Sequence, residues 1–109
     1  MSRLTWMLLV FIGVVLLAAA ALAGTDHAVL QKDRAFSVKS ITLRVGDRIV
    51  FTNGDSITHN VYSVTPGLEF DLRSQAPGQS DTVTFAKPGT TTVECAIHPK
   101  MKLQVVVAP

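Results

Sequence analysis

The only cysteine of the 109-residue chain lies in a short segment that also carries a histidine and a methionine. Cys95, His98 and Met101 follow one another at intervals of three residues in VECAIHPKM, residues 93–101. Thiolate and thioether sulfurs are soft ligands, and together with imidazole they suit copper. We therefore predict that a short loop brings these three side chains to one copper ion.

A second histidine would complete an electron-transfer copper site, because such a site holds two His and one Cys strongly and a Met weakly. His59 lies in the strand-like segment THNVYSV, residues 58–64. In a β-sandwich this segment can neighbour the strand that ends at Cys95. We predict that His59 is the missing ligand.

Each of these residues has an ordinary structural interpretation when it is taken alone. A lone cysteine near a strand end is usually a small buried hydrophobe. A closed zinc site generally needs four Cys or His ligands, whereas residues 24–109 contain one Cys and three His. A Cys–His nucleophile is conceivable, but the sequence contains no recognisable oxyanion loop or Gly-rich elbow. The close spacing of the three side chains favours copper over these alternatives.

The rest of the sequence is typical of strands. Apolar and polar residues alternate in AFSVKSITLRV, and turn signals such as GD and KPG separate further β-rich runs. Residues 65–79 carry two Pro-Gly pairs and are predicted to be irregular, with one short helical turn. The pattern predicts an all-β chain, either an antiparallel sandwich or a small barrel. The predicted strands cover residues 35–45, 48–53, 58–64, 81–86, 90–96 and 102–108.

The first 23 residues are typical of an export signal. Arg3 precedes an uncharged apolar run, and ALA at residues 21–23 offers the small residues that a signal peptidase recognises. We predict a signal peptide over residues 1–23 and one domain over residues 24–109; an uncleaved membrane anchor is the alternative. His27 would then be an exposed residue at a frayed N-terminus.

The charge pattern argues against a nucleic-acid partner. Ten Lys and Arg stand against eight Asp and Glu, and loss of Arg3 with the signal would reduce the formal net charge from +2 to +1. No run of basic residues is long enough to follow a phosphate backbone.

The motifs together resemble those of small cupredoxins, the blue copper proteins that include plastocyanin, pseudoazurin and amicyanin. The C-x-x-H-x-x-M spacing and HNV are the specific matches, and VGDRIVFTN and FAKPGTTTVEC extend the similarity over most of residues 24–109. The loop is most similar to that of amicyanin and of plastocyanin-like proteins of methylamine utilisation. The resemblance implies a plastocyanin-like domain, an antiparallel Greek-key β-sandwich of about 6–8 strands.

The resemblance also implies a role for each site residue and one type 1 copper ion as cofactor. His59, Cys95 and His98 would be the three strong ligands and Met101 the long axial one. Asn60 would tie the two ligand segments together, with its backbone N–H directed at the cysteine sulfur.

Two residues of the loop depart from the amicyanin pattern, which has a polar residue and a proline between Cys and His. Here these positions are Ala96 and Ile97. No hydroxyl follows the cysteine, and Ile97 retains a backbone N–H that proline lacks. The reduction potential of the relatives is therefore not expected to carry over.

The function that this resemblance implies is that of a periplasmic carrier of single electrons, not an enzyme. Its partners would be redox proteins such as a cytochrome or a dehydrogenase, bound transiently by a monomer that has no membrane contact after signal cleavage. A periplasmic copper-binding protein for copper tolerance or delivery is the alternative, with the same ligands.

Overall fold

The computed structural model describes residues 24–109, and its regular structure is entirely β. The all-β prediction is confirmed, with nine strands where about 6–8 were expected. The predicted signal peptide, residues 1–23, lies outside the described residues. Within the described part of the chain, no helix is long and apolar enough to cross a membrane. The strands are β1 (Asp26–Lys32), β2 (Ala35–Phe36), β3 (Ser40–Arg44), β4 (Arg48–Asn53), β5 (His59–Ser63), β6 (Phe70–Gln75), β7 (Ser80–Thr84), β8 (Gly89–Cys95) and β9 (Lys102–Ala108).

The strands form two sheets. One has the order β2-β1-β4-β7 and the other the order β3-β9-β8-β5-β6. Most neighbours are antiparallel, but β1 runs parallel to β4 and β3 runs parallel to β9. Parallel neighbours cannot be joined by a tight hairpin. Between the two strands of each parallel pair, the chain therefore passes through the other sheet. The predicted antiparallel sandwich therefore contains two parallel pairs.

The core lies between the sheets and follows from the alternation of apolar residues. Ile49 and Phe51 of β4 are 0% exposed, whereas their strand neighbours are partly exposed. The ring of Phe51 stacks on Phe70 of the opposite sheet, with 5.7 Å between ring centroids. Burying a large apolar side chain of this kind stabilises the fold by about 2–3 kcal/mol. This apolar layer is the frame on which the loops at either end of the sandwich are held.

Two sequence predictions about individual elements are wrong, and one strand was missed. Residues 65–79 hold no helical turn but contain β6, whose pairing with β5 shifts register between Asn60 and Tyr62. The predicted strand 35–45 is divided into β2 and β3, which lie in different sheets. Strand β1 was not predicted at all. Strands β2 and β6 each pair only with the strand before them in the chain, β1 and β5. Local alternation carries no information about the crossing between sheets that separates β2 from β3.

His27 is not frayed, contrary to the prediction. It lies on β1, and its Nε2 is 3.1 Å from Oδ2 of Asp47. The Asp47 carboxylate also accepts hydrogen bonds from the backbone N–H groups of Arg44 and Thr25. These contacts hold the start of β1 against the turn between β3 and β4.

Candidate metal centre

Strand pairing brings the predicted ligands to one end of the sandwich. His59 is the first residue of β5, and Cys95 is the last residue of β8. The two strands are antiparallel neighbours, with Val61 opposite Cys95, so the beginning of one strand meets the end of the other. His98 and Met101 lie in the connection from β8 to β9. Two sequence segments that are 36 residues apart therefore meet at one point.

Three donor atoms of these side chains form a compact triangle. The Cys95 sulfur lies 3.7 Å from Nδ1 of His59 and 3.9 Å from Nδ1 of His98, and the two nitrogens are 3.2 Å apart. The point equidistant from the three atoms in their plane is about 2.1 Å from each, a distance typical of the bond from a His nitrogen to a divalent metal. The donors therefore fit a single metal ion in a trigonal arrangement. Two imidazoles and one thiolate in that arrangement suit copper.

Met101 lies on the same turn as His98. Its backbone N–H donates to the carbonyl of His98 over 2.9 Å, and its side chain is 1% exposed. The thioether is therefore held inside the protein close to the ligand loop. This placement agrees with the predicted role of Met101 as a weak axial ligand, which stays a prediction.

The four predicted ligands differ in their access to solvent. His59 is 0% exposed, and Cys95 and Met101 are also buried, whereas His98 is half-buried. Ile97, which precedes His98, is 52% exposed. His98 is thus the one predicted ligand through which the centre reaches the surface, and an exposed apolar side chain lies beside it in sequence.

Asn60 connects the two ligand segments through its backbone. Its N–H donates to the Cys95 sulfur over 3.4 Å, and its carbonyl accepts the N–H of Ala96 over 3.2 Å. Its side-chain amide donates to Oδ1 of Asp71 and to the carbonyl of Arg73, both on β6. The backbone contact is the one expected from the cupredoxin resemblance, whereas the side chain ties β5 to the other neighbouring strand.

Asp55 is a residue of the site that the sequence analysis missed. Its Oδ2 lies 2.7 Å from Nε2 of His59, the ring nitrogen that faces away from the donor triangle. Burial by itself would raise the pKa of this carboxyl, but hydrogen bonds from His59 and from the N–H groups of Arg34 and Asp33 outweigh it and lower the pKa. The only sequence signal for Asp55 is its position four residues before His59, in a segment that the sequence predicts to be a loop.

A buried amide pair supports the centre from inside the sandwich. Gln75 is the strand partner of His59 on β6, and its side chain accepts a hydrogen bond from the side-chain amide of Gln31 on β1. Gln75 also donates to the carbonyl of Phe51 over 3.0 Å, and both glutamines are 0% exposed. Because these contacts join the two sheets next to His59, they restrict movement of the ligand relative to the core.

Two known proteins are similar to this chain in sequence. The methylamine utilization protein MauL of Methylorubrum extorquens is 32% identical over 85 residues, which cover 77% of this chain and 70% of the relative. Amicyanin of Paracoccus denitrificans is 29% identical over 94 residues, which cover 83% of this chain and 71% of the relative.

Solved structures show the same fold. A structure of reduced amicyanin carrying one substitution matches with a TM-score of 0.71 at 28% identity, over 84% of this chain and 90% of that chain. The predicted cupredoxin sandwich and the copper cofactor are confirmed by these likenesses and by the family match. That match is to the model of the copper binding proteins, plastocyanin/azurin family, over residues 24–108. The chain therefore belongs to the plastocyanin/azurin family of copper binding proteins.

Proposed function

We propose that the protein is a periplasmic type 1 copper protein that carries single electrons between redox partners. The observation that carries this proposal is the convergence of the His59, Cys95 and His98 donors, with one partly exposed imidazole. Bound there, copper supplies a one-electron couple, Cu(II)/Cu(I). Met101 would be the weak fourth ligand, and the backbone N–H of Asn60 donates to the Cys95 sulfur.

The surrounding protein would hold the donors in nearly the same positions in both oxidation states. Cys95 is anchored by the strand pairing of β8 and by the Asn60 N–H, and His59 by Asp55. Donors that are held in this way move little when the copper changes oxidation state, which favours rapid electron transfer. Because Cys95 is buried, water is excluded from its thiolate.

Electrons would enter and leave through His98. The half-buried ring and the exposed Ile97 offer a small, partly apolar contact area. Small interfaces of this kind suit short-lived complexes of redox proteins. We expect the partners to be proteins such as a cytochrome or a dehydrogenase, and we expect the carrier to act as a monomer and to catalyse no substrate reaction.

A copper titration followed by visible spectroscopy tests the proposal. One equivalent of Cu(II) added to the copper-free protein should produce a strong thiolate-to-copper absorption that disappears on reduction. Cys95→Ser should abolish this absorption, whereas Ser63→Ala, at the opposite end of β5, should retain it. A colourless wild-type protein, or colour that survives Cys95→Ser, would refute the copper–thiolate centre.

Export can be tested separately. The predicted signal peptide, residues 1–23, should be absent from the protein recovered from the periplasm, whose mass should correspond to a chain beginning at Gly24. Recovery of the full-length chain in the membrane fraction would instead support the uncleaved anchor.

Copper delivery is the competing function. A delivery protein must release its ion, and such proteins gain from exposed methionine or histidine clusters, whereas Met101 is the only methionine of residues 24–109. Reversible reduction with rapid electron exchange to a cytochrome would favour the carrier. Transfer of the copper ion itself to an acceptor protein would favour delivery.

A further inference from the structure

The carboxylate of Asp55 joins the copper centre to a hairpin turn on the other sheet. Its Oδ1 accepts the backbone N–H of Asp33 over 2.6 Å, and its Oδ2 accepts the N–H of Arg34 over 3.1 Å. The same Oδ2 lies 2.7 Å from Nε2 of His59. One carboxylate, with its side chain 9% exposed, therefore receives hydrogen bonds from two turn residues and from one predicted copper ligand.

The turn itself has a backbone conformation that is unusual for its second residue, Arg34. Asp33 and Arg34 connect β1 to β2 as a two-residue loop, with φ of 53° and 56°. Such a turn favours Asn-Gly or Asp-Gly, and an arginine in the left-handed region is strained. A strained backbone persists where surrounding contacts determine it. Here the contact is the Asp55 carboxylate, at which both N–H groups are directed.

We propose that the Asp33–Arg34 turn, acting through Asp55, positions His59 and sets the balance between the two oxidation states of the bound copper. Asp55 is a positioning residue, because it would touch the ligand and not the metal. The inference rests on the function proposed above. A carboxylate at Nε2 keeps the proton on that nitrogen, which leaves the lone pair of Nδ1 facing Cys95 and His98.

The charge of the carboxylate adds a second effect. A negative charge beside the imidazole favours Cu(II), the more positive ion, over Cu(I). The Asp55 carboxylate therefore lowers the reduction potential of the centre. The turn keeps that charge in place, because its two N–H groups offset part of the cost of burying it.

An amide cannot replace this carboxylate. Asp55 receives three N–H donors on two oxygens. In Asn, one of the two positions is an NH₂ group that cannot accept a hydrogen bond. If the amide oxygen takes the Oδ1 position, Arg34 and His59 lose their acceptor, and if it takes the Oδ2 position, Asp33 loses its acceptor.

Asp55→Asn is the first test, and Asp33→Asn is the matched control. The control removes a carboxylate from the turn, retains its backbone N–H and suits a positive φ. Asp55→Asn should bind Cu(II) about 10- to 100-fold more weakly, lose less affinity for Cu(I) and therefore have a higher reduction potential. Asp33→Asn should resemble the wild-type protein in its affinity for Cu(II), its affinity for Cu(I) and its reduction potential. Equal potentials in Asp55→Asn and the wild type would overturn the inference.

Hydrogen exchange of the wild-type protein tests the same link without a substitution. Copper binding should slow exchange of the Asp33 and Arg34 amides. If the turn strengthens copper binding, then bound copper must stabilise the turn by the same free energy. The comparison uses the diamagnetic Cu(I) and copper-free forms, and Gly46, in the turn at the opposite end of β4, is the internal control. Protection of Gly46 and the turn to the same extent would contradict the coupling.

Nitrogen NMR of His59 completes the test. The wild-type Cu(I) protein should carry a slowly exchanging proton on Nε2, and Asp55→Asn should show faster exchange of that proton. These outcomes are separate from the test of function. A wild-type protein that stays colourless with Cu(II) contradicts the copper centre, whereas a blue wild type with an unaffected Asp55→Asn variant contradicts only the role of Asp55 and the turn.

Discussion

The backbone N–H of Asn60 donates to the sulfur of Cys95 over 3.4 Å, although 35 positions separate the two residues. His59, which precedes Asn60, and Cys95, whose sulfur accepts the N–H of Asn60, are both predicted copper ligands. A hydrogen bond to a thiolate withdraws electron density that would otherwise stabilise Cu(II). Strand pairing between β5 and β8 thus both assembles the donor set and modifies its most strongly donating member.

Asn60→Ala separates the backbone contact from the side-chain contacts of this residue. The N–H to Cys95 remains, so the visible absorption should persist. The side-chain bonds to Asp71 and Arg73 are lost, and the free energy of unfolding should fall by about 1 kcal/mol in urea denaturation. Ser74→Ala, on the exposed face of β6, is the control and should change stability by less than about 0.5 kcal/mol. Loss of colour in Asn60→Ala would show that the side chain itself holds the site.

Met101→Leu should retain copper and raise the reduction potential. The three strong donors are unchanged, but the thioether no longer donates electron density to Cu(II). Met101 is 1% exposed, and a Leu of similar volume should cost less than about 1.5 kcal/mol in stability. Cyclic voltammetry of the two proteins makes the comparison. An unchanged potential would indicate that the sulfur of Met101 does not interact with the metal.

Ile97→Asn should slow electron exchange without altering the copper centre. The side chain is 52% exposed next to His98, where partners are expected to dock. Loss of an apolar contact of about 1.4 kcal/mol would reduce the bimolecular rate with a cytochrome about tenfold. Val64→Asn, which places the same change on a 71% exposed residue beyond the other end of β5, is the control. Equal rates for both variants would place the docking surface elsewhere.

Asp47 should make the fold sensitive to acid. Hydrogen bonds from the N–H groups of Arg44 and Thr25, together with His27, lower the pKa of its carboxyl from 3.8 to about 2. Because the folded chain binds this proton less readily than the unfolded chain, the stabilisation is complete above about pH 4 and is lost as the pH falls towards 2.

Urea unfolding of the copper-free protein between pH 7 and pH 2 measures this effect. Asp47→Asn should be less stable than the wild type at pH 7, and the difference should shrink below about pH 4. The control is Asp26→Asn, because Asp26 forms an exposed ion pair with Arg48 that should contribute little. A stability difference between wild type and Asp47→Asn that stays constant across this range would contradict the assignment.

Local sequence patterns predicted the copper ligands better than they predicted the residues that hold those ligands in place. Cys95, His98 and Met101 are recognisable because all three lie within one connection, where spacing along the sequence limits distance in space. His59 was inferred from the need for a second imidazole, and the pairing of β5 with β8 is what places it there. Asp55 looked like ordinary loop chemistry, since its role depends on burial and on two N–H donors that lie more than 20 residues earlier.

The sequence by itself determined the class of fold, the identity of the metal and the composition of the ligand loop. Alternation and turn signals are properties of neighbouring residues, and soft donors at close spacing indicate copper wherever the loop lies. Only the tertiary structure decided that β1 pairs with β4, that β6 exists and that Gln31 and Gln75 meet between the sheets. These features depend on hydrogen bonds between separate strands or sheets, which form only when the folded chain has brought these segments together.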